Sequence, residues 1–244
     1  MEFGRKEIKN ILTASLIAAF VFSFNEWGIE SFDAIEGLKN LFIAFIFCSI
    51  IYFSHSSAQK LVAEYYEYRI EFTLISMQRR ISEIKKLVSI PIGPIVTLLA
   101  TFVSNGKFIF LLLNSFKHVP ENEFRVGRHW INIKEYEEAQ VALAGPLSQI
   151  ILLIIFKLLL QFSVIFNKAM FIVSIVAIYN MLPLPHLDGM KIFFGSRPLY
   201  IASLIFMVAF IVLIFYLSTI QAIILAFLFA AVLTAIYLYK KLSH

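Results

Sequence analysis

Asn180-Met-Leu-Pro-Leu-Pro-His-Leu-Asp-Gly189 decides how this chain is read. It sets an amide, two prolines, an imidazole and a carboxylate inside sequence that is otherwise soluble in hydrocarbon. Pro183 and Pro185 each remove a backbone donor and unwind a helix. Lipid tolerates such a break only where the freed groups are buried in protein or line a wet cavity. An ionisable group at the break, here Asp188, marks a functional site by default. The bland alternative is that the helix leaves the membrane at this point and Asp188 faces water or caps the next turn.

Working outward, the composition is that of a polytopic membrane protein: 60% hydrophobic residues, 26 Phe, 15% charged residues and a mean hydropathy of +0.83. The pI of about 9.2 follows from where the loops carry their bases and does not indicate a nucleic-acid partner. Cys48 is the single cysteine, so no disulfide framework and no cysteine metal site can form within one chain. Arg5, Lys6 and Lys9 precede a first apolar run that lacks a small-x-small cleavage pattern and reads as a retained anchor.

At about 20 residues per crossing, six spans are expected, over 8–27, 38–62, 139–162, 170–187, 199–217 and 220–239, in one all-α membrane domain covering 1–244. Residues 88–103 are apolar but short and carry Pro91, Gly93 and Pro94, which predicts a re-entrant or interfacial segment. Apart from Lys157 within a span, only Lys39 and Lys168 stand opposite the side rich in Lys and Arg. The positive-inside rule therefore predicts both termini in the cytoplasm, with lipid of the plasma membrane as the surround.

The stretch 63–138 has a different texture and is expected to be a cytoplasmic, β-containing insertion. Tyr68, Ile70, Phe72 and Leu74 alternate with Arg69, Glu71 and Thr73, a period of two that predicts a strand. Ile81, Ile84 and Leu87 share one face over 78–87, which predicts an interfacial helix. Segments 107–116 and 125–133 are candidate further strands of a small sheet at the membrane surface, whose bases face anionic lipid.

In the second span, His55 and Gln59 are four apart and share one helix face, the spacing by which a helix offers two ligands to one metal. Both the second and the fourth span run inward, so His55 and Asp188 should meet at one depth near the cytoplasmic interface.

The ordered set of motifs resembles the site-2 protease family of intramembrane zinc metalloproteases, in its archaeal and bacterial branch. Asn180-x-x-Pro183 with Leu187-Asp188-Gly189 is similar to the family's Asn/Pro/Asp-Gly motif. His55-Ser-Ser-Ala-Gln59 stands where its His-Glu-x-x-His helix runs into a strand, and Ala144-Gly145-Pro146-Leu-Ser-Gln149 resembles its Gly-Pro-x-x-Asn span. Ile90-Pro-Ile-Gly-Pro-Ile95 is similar to a further family segment. The resemblance implies zinc held by His55 and Asp188 and by a residue at position 59, with a general base at position 56. Ser56 cannot hold a negative charge near neutral pH, the neutral amide of Gln59 is a poor zinc donor, and Gln149 replaces an asparagine.

The departures fall on the chemistry while the scaffold residues Asn180, Pro183, Gly189, Gly145 and Pro146 persist, which implies a pseudoprotease with no intact catalytic residue and weak or absent zinc. Its expected partner is a transmembrane or membrane-proximal peptide client. Two alternatives stay open. The first is an active zinc metalloprotease with altered ligands, in which His186 enters the coordination sphere, or a protease whose motif has been substituted. The second is a transporter or channel that uses Asp188 in a broken helix as an ion site.

Overall fold

The computed structural model describes residues 2–28, 32–80, 87–119 and 134–242. Helices α1 (Arg5–Ser23) and α2 (Ala34–Tyr65) form an antiparallel pair. Glu7 at the start of α1 meets Lys60 late in α2, and Asn40 early in α2 donates to the carbonyl of Glu26 beyond the end of α1. The Asp33 carboxylate starts α2 by accepting from the backbone N–H groups of Ile35 and Glu36. With 32 residues, α2 is about 48 Å long, well beyond the roughly 30 Å hydrocarbon thickness of a bilayer.

Glu67, at φ 61°, then turns the chain into β1 (Arg69–Leu74), β2 (Met77–Arg80), β3 (Leu87–Ile90), α3 (Ile92–Val103) and β4 (Asn114–Val119). β1 pairs antiparallel with β4, with Arg69 opposite Val119 and Leu74 opposite Asn114, and β2 pairs antiparallel with β3. The alternation in the sequence is realised in β1, where Ile70 and Phe72 are buried and Arg69 and Glu71 are exposed. The interfacial helix expected over 78–87 requires correction. Gln78 to Arg80 lie in β2 and Leu87 in β3, because hairpin pairing overrides the helical spacing at both ends, and residues 81–86 between them lie outside the described residues. Of the strand expected over 107–116, only the part from Asn114 forms, and the one expected over 125–133 lies outside the described residues.

The insertion packs along α1. At one end of α1, the Phe72 N–H donates to Glu7 Oε1 at 2.9 Å and Asn10 Nδ2 donates to the Phe72 carbonyl at 3.4 Å. At the other end, Phe102 of α3 packs on Phe20 and Phe24. Glu7 and Phe24 are about 25 Å apart along the helix axis, so the insertion runs nearly the full length of α1. Glu7 also accepts from Lys60 Nζ at 2.6 Å, and this buried ammonium lies over the Phe3 ring.

The remaining elements are α4 (Glu135–Leu159), α5 (Ile165–Met181), α6 (Asp188–Gly195), α7 (Arg197–Tyr216) and α8 (Thr219–Leu242). α4 packs on α2, α5 and α6, while α8 packs chiefly on α7. The fold is mostly helical, and among the described residues four helices, α2, α4, α7 and α8, are long and apolar enough to cross a membrane.

Candidate functional site

The polar run in α2 turns inward. His55, Ser56 and Gln59 are all buried, His55 completely. The proline-bearing break lies between two helices: α5 ends at Met181 with buried Asn180 in its last turn, and α6 begins at Asp188. Across the intervening segment Pro183, Pro185 and His186 are exposed while Leu187 is buried. Gly189 makes the return possible. A Cβ there would stand 2.3 Å from the Met181 carbonyl oxygen and 2.6 Å from that of Leu182, so only glycine lets the first turn of α6 lie against the end of α5. Asp188 is thereby carried inward, neither capping its helix nor facing water, and its Oδ2 lies 2.8 Å from His55 Nε2.

α4 closes the other side of the imidazole. A Cβ on Gly145 would fall 2.3 Å from His55 Cε1, so the ring packs directly on backbone that only glycine leaves uncovered. Gln149, one turn further along α4, brings Nε2 to 3.3 Å from His55 Nδ1, and Asn180 Nδ2 is 3.4 Å from the same atom. The Asn114 carboxamide, at the start of β4, lies 3.4 Å from His55 Nε2. One ring is thus surrounded by a carboxylate and three carboxamides from four other elements. Nε2 faces the Asp188 carboxylate and the Asn114 carboxamide, and Nδ1, with its one ring lone pair, can accept from Gln149 or from Asn180.

Not every polar atom in this centre is satisfied. Both Asp188 carboxylate oxygens, Gln149 Oε1 and Gln59 Nε2 are buried without a hydrogen-bond partner among the described residues. Leaving such a group unpaired costs about 1–3 kcal/mol, so each is a place where a donor or an acceptor would be welcomed.

Of the residues singled out in the sequence, the structure brings His55, Asp188, Asn180, Gln149, Gly145 and Gly189 together, with Gln59 one turn along α2 and Pro146 buried inside α4. Ser56 is buried beside His55 but points about 100° away around the helix. Pro183 lies on the exposed segment. His186 is not brought to the centre. The segment before Asp188 is a turn, with His186 at φ 71°, and not the extended run that would aim residues 186 and 188 alike. Its side chain instead lines a cleft of about 390 Å³ with Thr73, Ser115 and Lys117. Asn114 escaped sequence reasoning; the signal was a lone amide closing the apolar run Phe108-Ile-Phe-Leu-Leu-Leu113. Lys191 was missed as well. It is one turn after Asp188 on α6, with Nζ 3.0 Å from the Phe116 carbonyl of β4 and 3.8 Å from Glu138 of α4.

The donor set does not fit zinc. Zinc takes thiolate, imidazole and carboxylate ligands, at least three of them from the protein. Here the centre supplies one imidazole and one carboxylate, 2.8 Å apart, and otherwise neutral amides. Among the described residues no group of three or more His, Cys, Asp or Glu comes together.

Comparison with protein-family models, with curated proteins and with solved structures finds no match to this chain. Fold and site together define a helical membrane protein with a buried His–Asp pair inside a carboxamide girdle.

Proposed function

We propose that this chain is a site-2-protease-like membrane protein, catalytically impaired, that binds transmembrane or membrane-proximal peptide segments. The single observation that carries the reading is the buried His55–Asp188 pair, joined at 2.8 Å across α2 and α6, with Ser56 and Gln59 at the positions of the general base and of a second ligand. In this reading the chain crosses the plasma membrane six times with both termini cytoplasmic: the four long apolar helices with the shorter α1 and α5 supply the crossings, and the Lys and Arg asymmetry of the loops supplies the orientation.

A carboxylate base positioned beside a reacting water contributes roughly 10²- to 10⁴-fold, and Ser56 supplies none. What remains is the polar interior on which a client could dock. Gly145, Gly189 and Pro146 keep the helices close, and the His–Asp pair and its amides hold a polar surface at a depth where lipid offers no competing water.

The test is metal analysis and cleavage by the purified protein beside the Ser56→Glu/Gln59→His double variant. The unaltered protein should hold little zinc and leave a transmembrane peptide intact, while the double variant gains zinc toward one per chain. Stoichiometric zinc with turnover in the unaltered protein, lost on His186→Ala, would replace this proposal with an active protease. Cysteine labelling near Lys117 and Lys241 tests the orientation, and reaction of both from the outer face defeats it.

A further inference from the structure

We propose that the cleft between the outer face of the β1–β4 ribbon and the turn before Asp188 binds a phosphate monoester, carried by a lipid headgroup or by a soluble ester, through Lys117, His186 and the hydroxyls around them. This site is separate from the centre around His55 and does not depend on the client-binding reading.

The register of the ribbon gathers the groups. Thr73 pairs with Ser115 across the ladder and Lys117 follows Ser115 by two, so these three side chains share one face. They line the cleft of about 390 Å³ together with Ser76 of the next turn and His186. Its polar lining is an ammonium, an imidazole and three hydroxyls, with no carboxylate among the described residues. The neighbouring bases are matched: His118 and Lys191 both meet Glu138, and Lys60 meets Glu7. Lys117 and His186 form no ion pair among the described residues, although exposed Glu71 stands opposite Lys117 in the ladder.

The backbone gives a second, independent sign. The Leu187 N–H donates to the Leu184 carbonyl at 3.1 Å across Pro185 and His186, with His186 at φ 71°. This is the arrangement of a type II turn, which favours proline at its second position and glycine at its third. The chain carries histidine where the backbone suits glycine, and that side chain lines the cleft. Strain of this kind gathers where a side chain is used. The chemistry of the lining then selects the ligand. An ammonium only donates, a neutral imidazole donates one N–H, and hydroxyls can turn to donate; Thr73 is engaged only by a long 3.5 Å contact to the Ser115 carbonyl. Lys117 repels a cation, and a neutral group leaves its charge unanswered. A carboxylate offers two oxygens to these donors, whereas a phosphate monoester offers three and a charge of about −1.5 to −2. Leu74 and exposed Met77 supply an apolar border for hydrocarbon attached to the phosphate.

Thermal unfolding of the full chain in nanodiscs tests the site, because a ligand of the folded state raises the midpoint. The lipid arms are phosphatidylcholine alone and phosphatidylcholine with either phosphatidic acid or phosphatidylglycerol at matched lipid charge; glycerol 3-phosphate added to the first is the soluble arm. Phosphatidic acid or glycerol 3-phosphate should raise the midpoint, and which of them does so identifies the source. Phosphatidylglycerol, a diester, should not. Lys117→Gln and His186→Gly should each weaken the effective ligand about tenfold, while Lys9→Gln, at an exposed base of α1, leaves it unchanged. Without ligand, His186→Gly should unfold close to the parent, since glycine suits the turn.

If neither phosphatidic acid nor glycerol 3-phosphate shifts the midpoint, or phosphatidylglycerol acts as phosphatidic acid does, the cleft holds no phosphate monoester. If Lys9→Gln weakens the ligand as much as Lys117→Gln, the attraction is diffuse charge. If His186→Gly unfolds well below the parent without ligand, the histidine serves the turn. Each of these outcomes overturns the assignment and leaves the client reading untouched.

Discussion

α4 and α8 are both apolar enough to cross a membrane, yet 67% of the most apolar stretch of α4 is buried against 17% of that of α8. Hydropathy therefore tells which segments prefer hydrocarbon but not whether that hydrocarbon is lipid or protein. The difference lies in small and polar residues. α4 carries Gly145, Pro146, Ser148 and Gln149 in its apolar run, and each is buried. On α8, Phe227, Leu228 and Phe229 are exposed, and the buried residues include Ala222, Ala226 and Ala230, spaced four apart on a single stripe. One side of the molecule is stitched by polar contacts among α1, α2, α4, α6 and β4, and the other is a smooth pair, α7 and α8.

The comparison breaks most sharply at Glu7. Glu7→Ala leaves the buried Lys60 ammonium without its carboxylate and the Phe72 N–H without its acceptor, and removing one partner of a buried pair costs about 3–5 kcal/mol. Thermal unfolding in detergent should show the loss, with Lys60→Met/Glu7→Gln recovering much of it; an unchanged transition would mean that the polar side is not held by its polar contacts. Gly145→Ala comes next. Its methyl group would meet the His55 ring at 2.3 Å, and overpacking of this kind costs about 1–3 kcal/mol, measurable in the same unfolding assay. If the variant is as stable as the parent, the ring does not pack on α4 as described.

Lys191 gives a smaller effect with a sign. Burial pushes its ammonium below the ordinary lysine range, opposed by the Asp188 and Glu138 charges. The unfolded chain then binds the proton more tightly than the fold does, so stability should rise as pH climbs from the lowered folded value toward 10.5. Unfolding followed through that window should show the rise, and Lys191→Met should flatten it. A Met variant with the same slope would assign the effect to another group. The smallest change should come from Phe227→Ala on the lipid-ready face of α8, within about 0.5 kcal/mol. A larger loss would place that face against a partner.

The sequence yielded most of the helices because their apolar runs are long, and it yielded His55 and Asp188 because ionisable groups are rare in such runs. The strand β1 was legible from its period of two. The segment 78–87 was not, because its helical spacing competes with hairpin pairing that becomes visible only when Met77 meets Ile90. His186 stayed open in the sequence for a related reason: two residues apart on an extended chain face one way, but a positive φ at His186 turns it outward. Asn114 reaches the centre across 59 residues from His55, a separation that no local pattern reports.

The small sheet formed by β1 and β4 bears on how the protein behaves in company. A two-stranded ribbon offers two open borders, and open borders recruit neighbouring chains. Here the middle of each is occupied by side chains of the same molecule: Glu7 and Asn10 take the N–H and carbonyl of Phe72, and Lys191 takes the carbonyl of Phe116 directly opposite. Each helix that flanks the ribbon thus also serves as an end-stop against polymerisation, so a change at Glu7 or Lys191 exposes a sticky border as well as weakening a contact.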